Sequence, residues 1–201
     1  MVTKKMGPNM PGVNVAVIVG SNRRDSIKRK LARALVRLAE GKPAASFVQI
    51  DDLPMCNGDL ESPLRANVAR FKAAIEETAA LLFVKPEHNS SIPTVLENAI
   101  DGGTRPYGRN SWVGKAVAII GASPGAIGTA IAQQHPRHGL ADLRALMMGG
   151  EAYVTFKPDL IDETGTVTDA GSRRFLQFFI DQFAGLAAQL TTMPKTYTVA
   201  A

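Results

Sequence analysis

A short segment with the sequence GSNRRDS, residues 20–26, carries groups suited to holding a phosphate. It lies between an apolar run and an amphipathic stretch, where Gly20 permits a sharp turn. Ser21 and Ser26 offer hydroxyls and Arg23 a guanidinium, while the start of the following helix offers unpaired backbone N–H groups. The alternative is a simple strand-to-helix turn with Ser26 as the helix N-cap. Neither the P-loop ending Gly-Lys-Ser/Thr nor the G-x-G-x-x-G dinucleotide motif is present, so neither of those nucleotide sites is predicted.

A second polar segment, PEHNSSIP at residues 86–93, also follows an apolar run. Its backbone amides and the side chains of Asn89 and Ser91 are suited to bonding the polar edge of a flat heterocycle. Pro86 fixes the backbone of the segment, and Pro93 suits the first turn of the next helix. The alternative is a rigid turn that caps this helix.

The third segment, GASPGAIG at residues 121–128, contains three glycines and matches the G-x-S-x-G pattern of serine hydrolases through Ser123. In such an enzyme the residue after the nucleophile donates its N–H to the oxyanion. Here that residue is Pro124, which has no N–H, and no histidine follows His138 to complete the usual Ser-Asp-His order. The pattern therefore favours a glycine-rich loop whose backbone approaches a ligand closely.

These segments need a scaffold that brings them together, and alternating apolar and amphipathic stretches predict one. Five apolar runs are typical of strands: VNVAVIVG (13–20), SFVQI (46–50), ALLFV (80–84), KAVAIIG (115–121) and EAYVTF (151–156). Helical periodicity predicts helices at 26–40, 63–78 and 93–101, a helical stretch up to about Met148, and a last helix from near Asp169 with Phe175, Phe179, Phe183 and Leu186 on one face. Near-continuous Val/Ile/Leu runs indicate strands that are buried on both faces of a parallel sheet. We predict an α/β fold: a flavodoxin-like three-layer sandwich with a five-stranded parallel sheet of order 2-1-3-4-5 and helices on both faces.

In an open parallel sheet, ligands bind beyond the carboxyl ends of the strands, at the point where the strand order reverses. In the predicted order this point lies between strands 1 and 3. Residues 20–26 and 86–93 follow these two strands, and residues 121–128 follow the neighbouring strand 4. Topology and loop chemistry together predict one site formed by three loops.

Composition sets the broad class of the protein. Its 201 residues suffice for one domain, and 45% hydrophobic with 20% charged residues is typical of a globular protein. We expect a single domain at residues 13–192 between tails at 1–12 and 193–201. No apolar run reaches the roughly 18 residues of a membrane helix, and the start lacks the apolar core of a secretory signal. The single cysteine, Cys56, suits a reducing compartment, so we expect a cytoplasmic protein without a membrane partner.

The formal net charge is +5, and much of the positive charge falls in residues 23–37. Arg29, Arg33 and Arg37 form a stripe at helical spacing in this segment. A solvated helix face is one interpretation and a nucleic-acid site is another. Because no aromatic side chains punctuate the stripe, as single-strand binding would require, we expect no nucleic-acid partner.

Taken together, the motifs resemble those of the NADPH-dependent FMN reductase family, and most closely those of its bacterial chromate and quinone reductases. The segments that carry the resemblance are GSNRRDSIKRKLA, DDLPMCNGDLE, PEHNSSIPTVLENAID and GKAVAIIGASPGAIGTA, and the match extends from about Val13 to Leu190. The resemblance implies bound FMN, NADPH or NADH as co-substrate, and electron transfer to a quinone, chromate or another metal oxyanion. It also implies a homodimer or homotetramer. Since the flavin carries the chemistry in such enzymes, we expect neither a catalytic side chain nor a metal.

The resemblance further implies roles for individual residues. The FMN phosphate would be held by Ser21, Arg23 and Ser26. The ring and ribityl chain would be lined by Pro86, Glu87, Asn89 and Ser91, with Ser123 near the ring. The implied cofactor-binding set also contains Ile27, Lys28, His88 and Ile92. Arg105 matches a family position near the active site at a subunit interface, and Glu151 matches a position linked to tetramer contacts.

The chain also departs from the family pattern. His88 stands where Tyr is usual, Lys28 where Asn is usual, Gly102 where Trp is frequent, and Cys56 and Gln134 where Tyr is frequent. We expect these differences to affect flavin affinity, acceptor preference or subunit assembly. Pro136 and Gly139 fall in a stretch that the family makes helical, and proline there predicts a kink or an interruption.

Two rival functions stay open on the sequence alone: a flavodoxin-type electron carrier without NAD(P)H turnover, and a non-enzymatic nucleotide- or DNA-binding module. Carriers are usually strongly acidic, whereas this chain is basic. Among the histidines, His88 most simply packs or hydrogen-bonds within its loop. His135 and His138 have no third ligand nearby in sequence, so a metal site is not predicted.

Overall fold

The computed structural model describes residues 13–39 and 44–192. Its strands are β1 (Val15–Val19), β2 (Ala45–Val48), β3 (Ala80–Lys85), β4 (Ala116–Ser123), β5 (Leu146–Met147) and β6 (Ala152–Thr155). Its helices are α1 (Ile27–Leu38), α2 (Ala66–Glu76), α3 (Thr94–Gly103), α4 (Ala130–Asp142) and α5 (Ala170–Thr192), with a short 3₁₀ turn at Gly58–Leu60. The two predicted tails, 1–12 and 193–201, lie outside the described residues.

The six strands form one parallel sheet of order β2-β1-β3-β4-β5, and β6 also pairs with β4. Val15 of β1 aligns with Ala45 on one side and with Ala80 on the other, which places β1 between β2 and β3. The strand order therefore reverses between β1 and β3. The predicted fold class and the order 2-1-3-4-5 are confirmed.

Side chains along each strand alternate between two cores, one on each face of the sheet. One core joins the sheet to α1 and α5, with Val17, Leu82, Leu31, Leu35, Phe179 and Phe183 among its buried members. The other joins the sheet to α2, α3 and α4, with Ile18, Phe83, Phe71, Leu96, Trp112 and Leu140 among its members. The helices thus cover both faces, as the near-continuous apolar strands predict. In the part of the chain that the structure describes, no helix has the length and apolar character needed to cross a bilayer.

The fifth position of the sheet is shared by two short strands, where the sequence predicts one. β5 pairs with the first residues of β4 and β6 with its last, and residues 148–151 between them belong to neither strand, although the Met148 N–H still donates to the Val117 carbonyl at 2.7 Å. The predicted strand EAYVTF corresponds to β6, whereas Leu146–Met147, which the sequence predicts to be helical, forms strand β5. The reason is local: Arg144 adopts φ +64, which ends the helical path, and the Leu146 N–H then donates to the Lys115 carbonyl at 2.8 Å.

Two helices differ in detail from the predictions. α4 contains Pro136 yet runs without interruption from Ala130 to Asp142. Pro136 is buried, and this packing offsets the backbone hydrogen bond that proline cannot make. In α5, Phe179 and Phe183 are buried as predicted, whereas Phe175 is 43% exposed and Leu176 is buried instead.

The segment between β2 and α2 is held by Asn98 of α3. The Asn98 side chain accepts from the Cys56 N–H at 2.7 Å and donates to the Pro54 carbonyl at 2.9 Å. Asn98 is itself buried, so water cannot readily replace these two bonds. This side chain therefore fixes the backbone around Cys56.

We expect Asn98→Ala to lower the free energy of unfolding by about 1–2 kcal/mol, because it leaves two backbone groups without partners. Asn98→Asp keeps the acceptor for the Cys56 N–H but places a buried carboxylate against the Pro54 carbonyl, so its loss should be at least as large. Urea denaturation of the two variants measures both losses. Equal stability of Asn98→Ala and the unaltered protein would contradict this role.

Candidate functional site

Three loops meet at the carboxyl edge of the sheet: residues 20–26 after β1, 86–93 after β3 and 121–128 at the end of β4. The Gly20 N–H donates to the Val84 carbonyl at 2.9 Å, and Lys85 aligns with Gly121 across β3 and β4. A Cβ added at Gly20 would lie 2.8 Å from a methyl of Leu96, so glycine lets this loop lie close against α3. The three segments singled out by their chemistry thus border one surface.

The first loop ends at the N-terminus of α1. Ser26 is the N-cap and its Oγ accepts from the Lys28 N–H at 3.3 Å, so the capping interpretation is correct. A capping hydroxyl can still donate its own proton to a ligand. None of the backbone N–H groups of residues 21–27 donates to an acceptor among the described residues. The loop and helix start therefore present a row of donors suited to an anion.

Positive charge converges on the same loop. Burial lowers the pKa of Lys28, and the charge of Arg23 lowers it further. Arg23 is exposed, while Ile27 and Lys28 are half-buried. Two cations that repel each other beside unpaired N–H groups would both be stabilised by a phosphate. The residues present here fit the phosphate end of FMN.

The second loop contains a tight turn. His88 and Ser91 exchange backbone hydrogen bonds of 2.9 and 2.8 Å, and between them Asn89 and Ser90 adopt φ +50 and +59. Two consecutive positive φ values are typical of a type I′ turn, a conformation that asparagine tolerates well. Asn89 and His88 are exposed at the tip of the turn, while Pro86 and Ile92 are buried at its base.

The second loop is also tied to α4 through side chains. Glu87 Oε2 accepts from the Ala132 N–H at 3.0 Å, in the first turn of α4. Ser91 Oγ lies 2.7 Å from His135 Nδ1. These two side chains, predicted as ligand contacts, therefore hold the loop in place, and the backbone of the loop is left to face a ligand. Nothing in the local sequence signals these contacts, because the partners lie 44 and 45 residues further along the chain.

The third loop is shaped by its own serine and by α4. Ser123 Oγ accepts from the Gly125 N–H at 3.1 Å, and His135 pairs with Ser91 rather than with Ser123. This arrangement does not support a serine nucleophile, in agreement with the sequence argument. Thr129, directly after the loop, adopts φ +88 and its side chain lies where a Gly121 side chain would be.

Lys85, which the sequence reading did not select, is the last residue of β3 and is completely buried. Its Nζ donates to the Thr129 carbonyl at 3.3 Å. Burial lowers the pKa of Lys85 to about 7, and the Glu87 carboxylate partly opposes this effect. The sequence did contain a signal for this residue: a lysine at the end of an apolar strand, directly before a predicted ligand loop.

We expect Lys85 to make the stability of the apoprotein depend on pH. The unfolded chain binds a proton at Lys85 up to about pH 10, whereas the folded chain releases it near pH 7, so unfolding takes up a proton between these values and stability rises with pH. The gain relative to Lys85→Met should be about 1 kcal/mol between about pH 7 and 8. Urea denaturation across this range measures it, and parallel curves for the two proteins would contradict it.

Arg105 does not lie among the three loops. Its Nη1 is 3.1 Å from Glu61 Oε1, and it lines a small cavity of about 30 Å³ together with Cys56 and Gly102. The structure thus brings together three positions that the family resemblance singles out, Arg105, Cys56 and Gly102, at the segment between β2 and α2.

Glu151 lies on another exposed surface. It accepts hydrogen bonds from Gln134 and from the Tyr153 hydroxyl. Ile127 and Ile131 nearby along the chain are 58% and 48% exposed. Gln134, another departure from the family pattern, therefore contacts the residue that the pattern links to assembly.

Comparison with protein families gives one clear match. Residues 13–159 match the model of the NADPH-dependent FMN reductase family. This range contains all three loops of the site and all six strands of the sheet.

Individual relatives agree with this match. The chain is 45% identical over 174 residues to a quinone reductase from Pseudomonas putida, covering 85% of this chain and 92% of the relative. It is 43% identical over 173 residues to a 2-hydroxy-1,4-benzoquinone reductase from Burkholderia sp, covering 86% and 94%. Among solved structures, the flavoenzyme NAD(P)H:(acceptor) oxidoreductase FerB from Paracoccus denitrificans superposes with a TM-score of 0.86 at 42% identity, covering 89% of this chain and 98% of that one.

Proposed function

Because the chain belongs to the NADPH-dependent FMN reductase family and is an FMN-dependent NAD(P)H oxidoreductase, we propose that it reduces quinones. The P. putida and Burkholderia relatives are named for quinone reduction, which supports this class of acceptor. The rival carrier function lacks NAD(P)H turnover and does not agree with membership of a reductase family.

The observation that carries the proposal is the anion site at the first loop. Unpaired N–H groups from residues 21–27 lie beside Arg23 and Lys28, at the strand-order reversal where such folds bind ligands. We assign the phosphate of FMN to this loop, with Ser21, Arg23, Ser26, Ile27 and Lys28 as its contacts.

The other two loops would receive the rest of the cofactor. We assign the ring and ribityl chain to the second and third loops, through Pro86, His88, Asn89, Ile92 and Ser123 and through the backbone of Glu87 and Ser91. The hydrogen bonds from Glu87 and Ser91 to α4 keep the turn fixed, so its backbone can orient the ring without first losing loop entropy. Bound FMN supplies the hydride and electron chemistry. The protein would bind and orient the FMN and leave one face of its ring accessible to substrates.

The positive charge near the first loop also bears on the co-substrate. Arg29 lines a cavity of about 250 Å³ together with Ser21 and Asn22. Asp51 also lines this cavity, and Arg23 and Lys28 add positive charge at the first loop. We propose that these cations favour NADPH over NADH and attract anionic acceptors such as chromate. We further propose a cytoplasmic enzyme.

Assembly is proposed to use two further surfaces. The exposed Ile127 and Ile131 precede Gln134, which contacts Glu151, and would offer apolar area for a homotetramer contact. Arg105 with Cys56 and Gly102 would face a dimer partner. Light scattering of the purified protein tests this, and a monomer at micromolar concentration would contradict it.

The proposed function is tested by the spectrum and the turnover of the purified protein. We expect absorption bands near roughly 375 and 450 nm from bound flavin, and oxidation of NADPH that depends on added 1,4-benzoquinone. NADH and chromate are the comparison substrates. A protein that binds FMN but oxidises neither pyridine nucleotide would be a carrier, and one that binds no FMN would contradict the assignment of the site.

A further inference from the structure

Arg29 of α1 carries a guanidinium that the fold leaves without a partner. The side chain is half-buried, and its Nε is shielded from solvent without a hydrogen-bond partner. Among the described residues, no acceptor or carboxylate pairs with its terminal nitrogens. By contrast, Arg137, whose Nε is likewise shielded, donates through its terminal nitrogens to the carbonyls of Met148 and Gly150. A half-buried cation without a counter-ion is suited to an anionic ligand.

Arg29 lines the cavity of about 250 Å³ at the carboxyl ends of β1 and β2. The polar and aromatic part of the lining comes from the first loop and from the end of β2: Ser21, Asn22, Phe47, Gln49 and Asp51. Phe47 aligns with Val17, whose side chain packs in the core beneath α1, so Phe47 lies on the α1 face of the sheet. The cavity is therefore on the same face as the helix whose N-terminus we assign to the phosphate.

This cavity borders the flavin site without being filled by FMN. The ring and ribityl chain are assigned to the loops after β3 and β4, and the order β2-β1-β3-β4 puts those loops on the opposite side of β1 from β2. Ser21 and Asn22 belong both to the phosphate loop and to the cavity, so the two sites are contiguous. Pockets for drug-sized ligands measure about 300–1,000 Å³. The cavity therefore has the size for one nucleoside phosphate and is too small for a whole flavin nucleotide.

The lining has the chemistry to bind an adenosine phosphate. Phe47 is 46% exposed and contacts no other aromatic ring of the described residues, so its ring is available for stacking on a base. Gln49 Oε1 accepts from Arg70 Nη1 at 3.3 Å, which leaves its amide N–H groups to bond the edge of that base. The Asp51 carboxylate suits the hydroxyls of an unphosphorylated ribose. Arg29 supplies the charge that a phosphate needs.

We propose that this cavity is a subsite for an adenosine phosphate, and that the protein binds FAD as well as FMN, with the adenylate half of FAD beside Arg29 and Phe47. The inference rests on the proposed function, because it takes the first loop as the site of the flavin phosphate. FAD is the flavin in which an adenylate is joined to that phosphate, so one ligand would occupy both contiguous sites. Binding is non-covalent, and no bond forms or breaks.

Titration calorimetry of the apoprotein with FMN and with FAD tests the subsite. We expect FAD to bind about tenfold more tightly than FMN, because only FAD adds a stacked base and a charged hydrogen bond. Arg29→Gln and Phe47→Ala should each weaken FAD binding about tenfold and leave the Kd of FMN within about twofold. Arg33→Gln, which removes an exposed arginine one turn further along α1, is the matched control and should change neither Kd.

Three results would count against the subsite or its premise. FAD affinity no higher than that of FMN would overturn the subsite and leave the proposed function intact. Equal losses of FMN and FAD affinity in Arg29→Gln would place Arg29 in the phosphate site itself and would also overturn it. Failure of the apoprotein to bind either flavin would instead contradict the proposed function.

The adenosine end of NADPH offers related chemistry, and kinetics of the FMN-loaded protein distinguish this source from FAD. The measurement is kcat/KM for NADPH and for NADH in the unaltered protein and in Arg29→Gln. A loss confined to NADPH, in a variant whose Kd for FAD is unchanged, would give the cavity to the pyridine nucleotide and overturn its assignment to FAD.

Discussion

Ser21→Asp should weaken FMN binding by roughly a hundredfold while leaving the fold intact. Ser21 is half-buried in the first loop, next to the unpaired N–H groups that we assign to the phosphate. A new carboxylate there would repel a dianionic phosphate by about 3 kcal/mol at the effective dielectric of a partly exposed site. Quenching of flavin fluorescence during titration of the apoprotein measures Kd directly.

Two controls make this prediction specific. Ser46→Asp introduces the same charge at an exposed residue of β2, aligned with Ala16 near the start of the neighbouring strand, and should leave Kd unchanged. Riboflavin binding to Ser21→Asp should be unaffected, because that ligand lacks the phosphate. If Ser21→Asp bound FMN as tightly as Ser46→Asp, the phosphate would lie elsewhere.

Gly121→Ala should lower the free energy of unfolding by about 2–3 kcal/mol, as expected for overpacking. Its added Cβ would collide with Thr129 Oγ1 and lie 3.0 Å from the Lys85 carbonyl. Gly139 of α4 has open space around an added Cβ, so Gly139→Ala is the matched control. Because alanine is the better helix former, that control should be neutral or slightly stabilising. Urea denaturation of the apoproteins compares the two.

Thr129→Gly should rescue Gly121→Ala. Thr129 adopts φ +88, a conformation that glycine adopts without strain, and its removal clears the space that the new methyl needs. In the Thr129→Gly background, the cost of Gly121→Ala should fall below about 1 kcal/mol. Additive losses in the double variant would show that the collision with Thr129 is not the cause.

Several features of the fold were determined by local sequence. Near-continuous apolar runs fixed the strands of a parallel sheet, since strands buried on both faces need apolar side chains at every position. Glycine, serine and asparagine directly after β1, β3 and β4 located the loops, because ligands bind at the carboxyl edge of such sheets. The motifs in these loops also carried the resemblance to the family that the comparisons confirm.

Tertiary structure decided how the loops are held and charged. Whether Glu87 and Ser91 face a ligand or α4 depends on where Ala132 and His135 come to lie, and these partners are 45 and 44 residues away. The partition of the fifth sheet position into β5 and β6 likewise depends on pairing with β4.

The environment of Lys85 is the clearest case. The sequence shows a lysine between a strand and a proline, where either a solvated or a buried side chain is possible. The close approach of Gly20 and the carbonyl of Thr129 enclose it, and the packing of distant segments sets its burial and therefore its pKa. The spacing of apolar residues and the chemistry of the loops depend on residues that are adjacent in the chain, so the sequence alone determined them. Burial and charge coupling arise between residues far apart in the chain, and only the folded structure decided those.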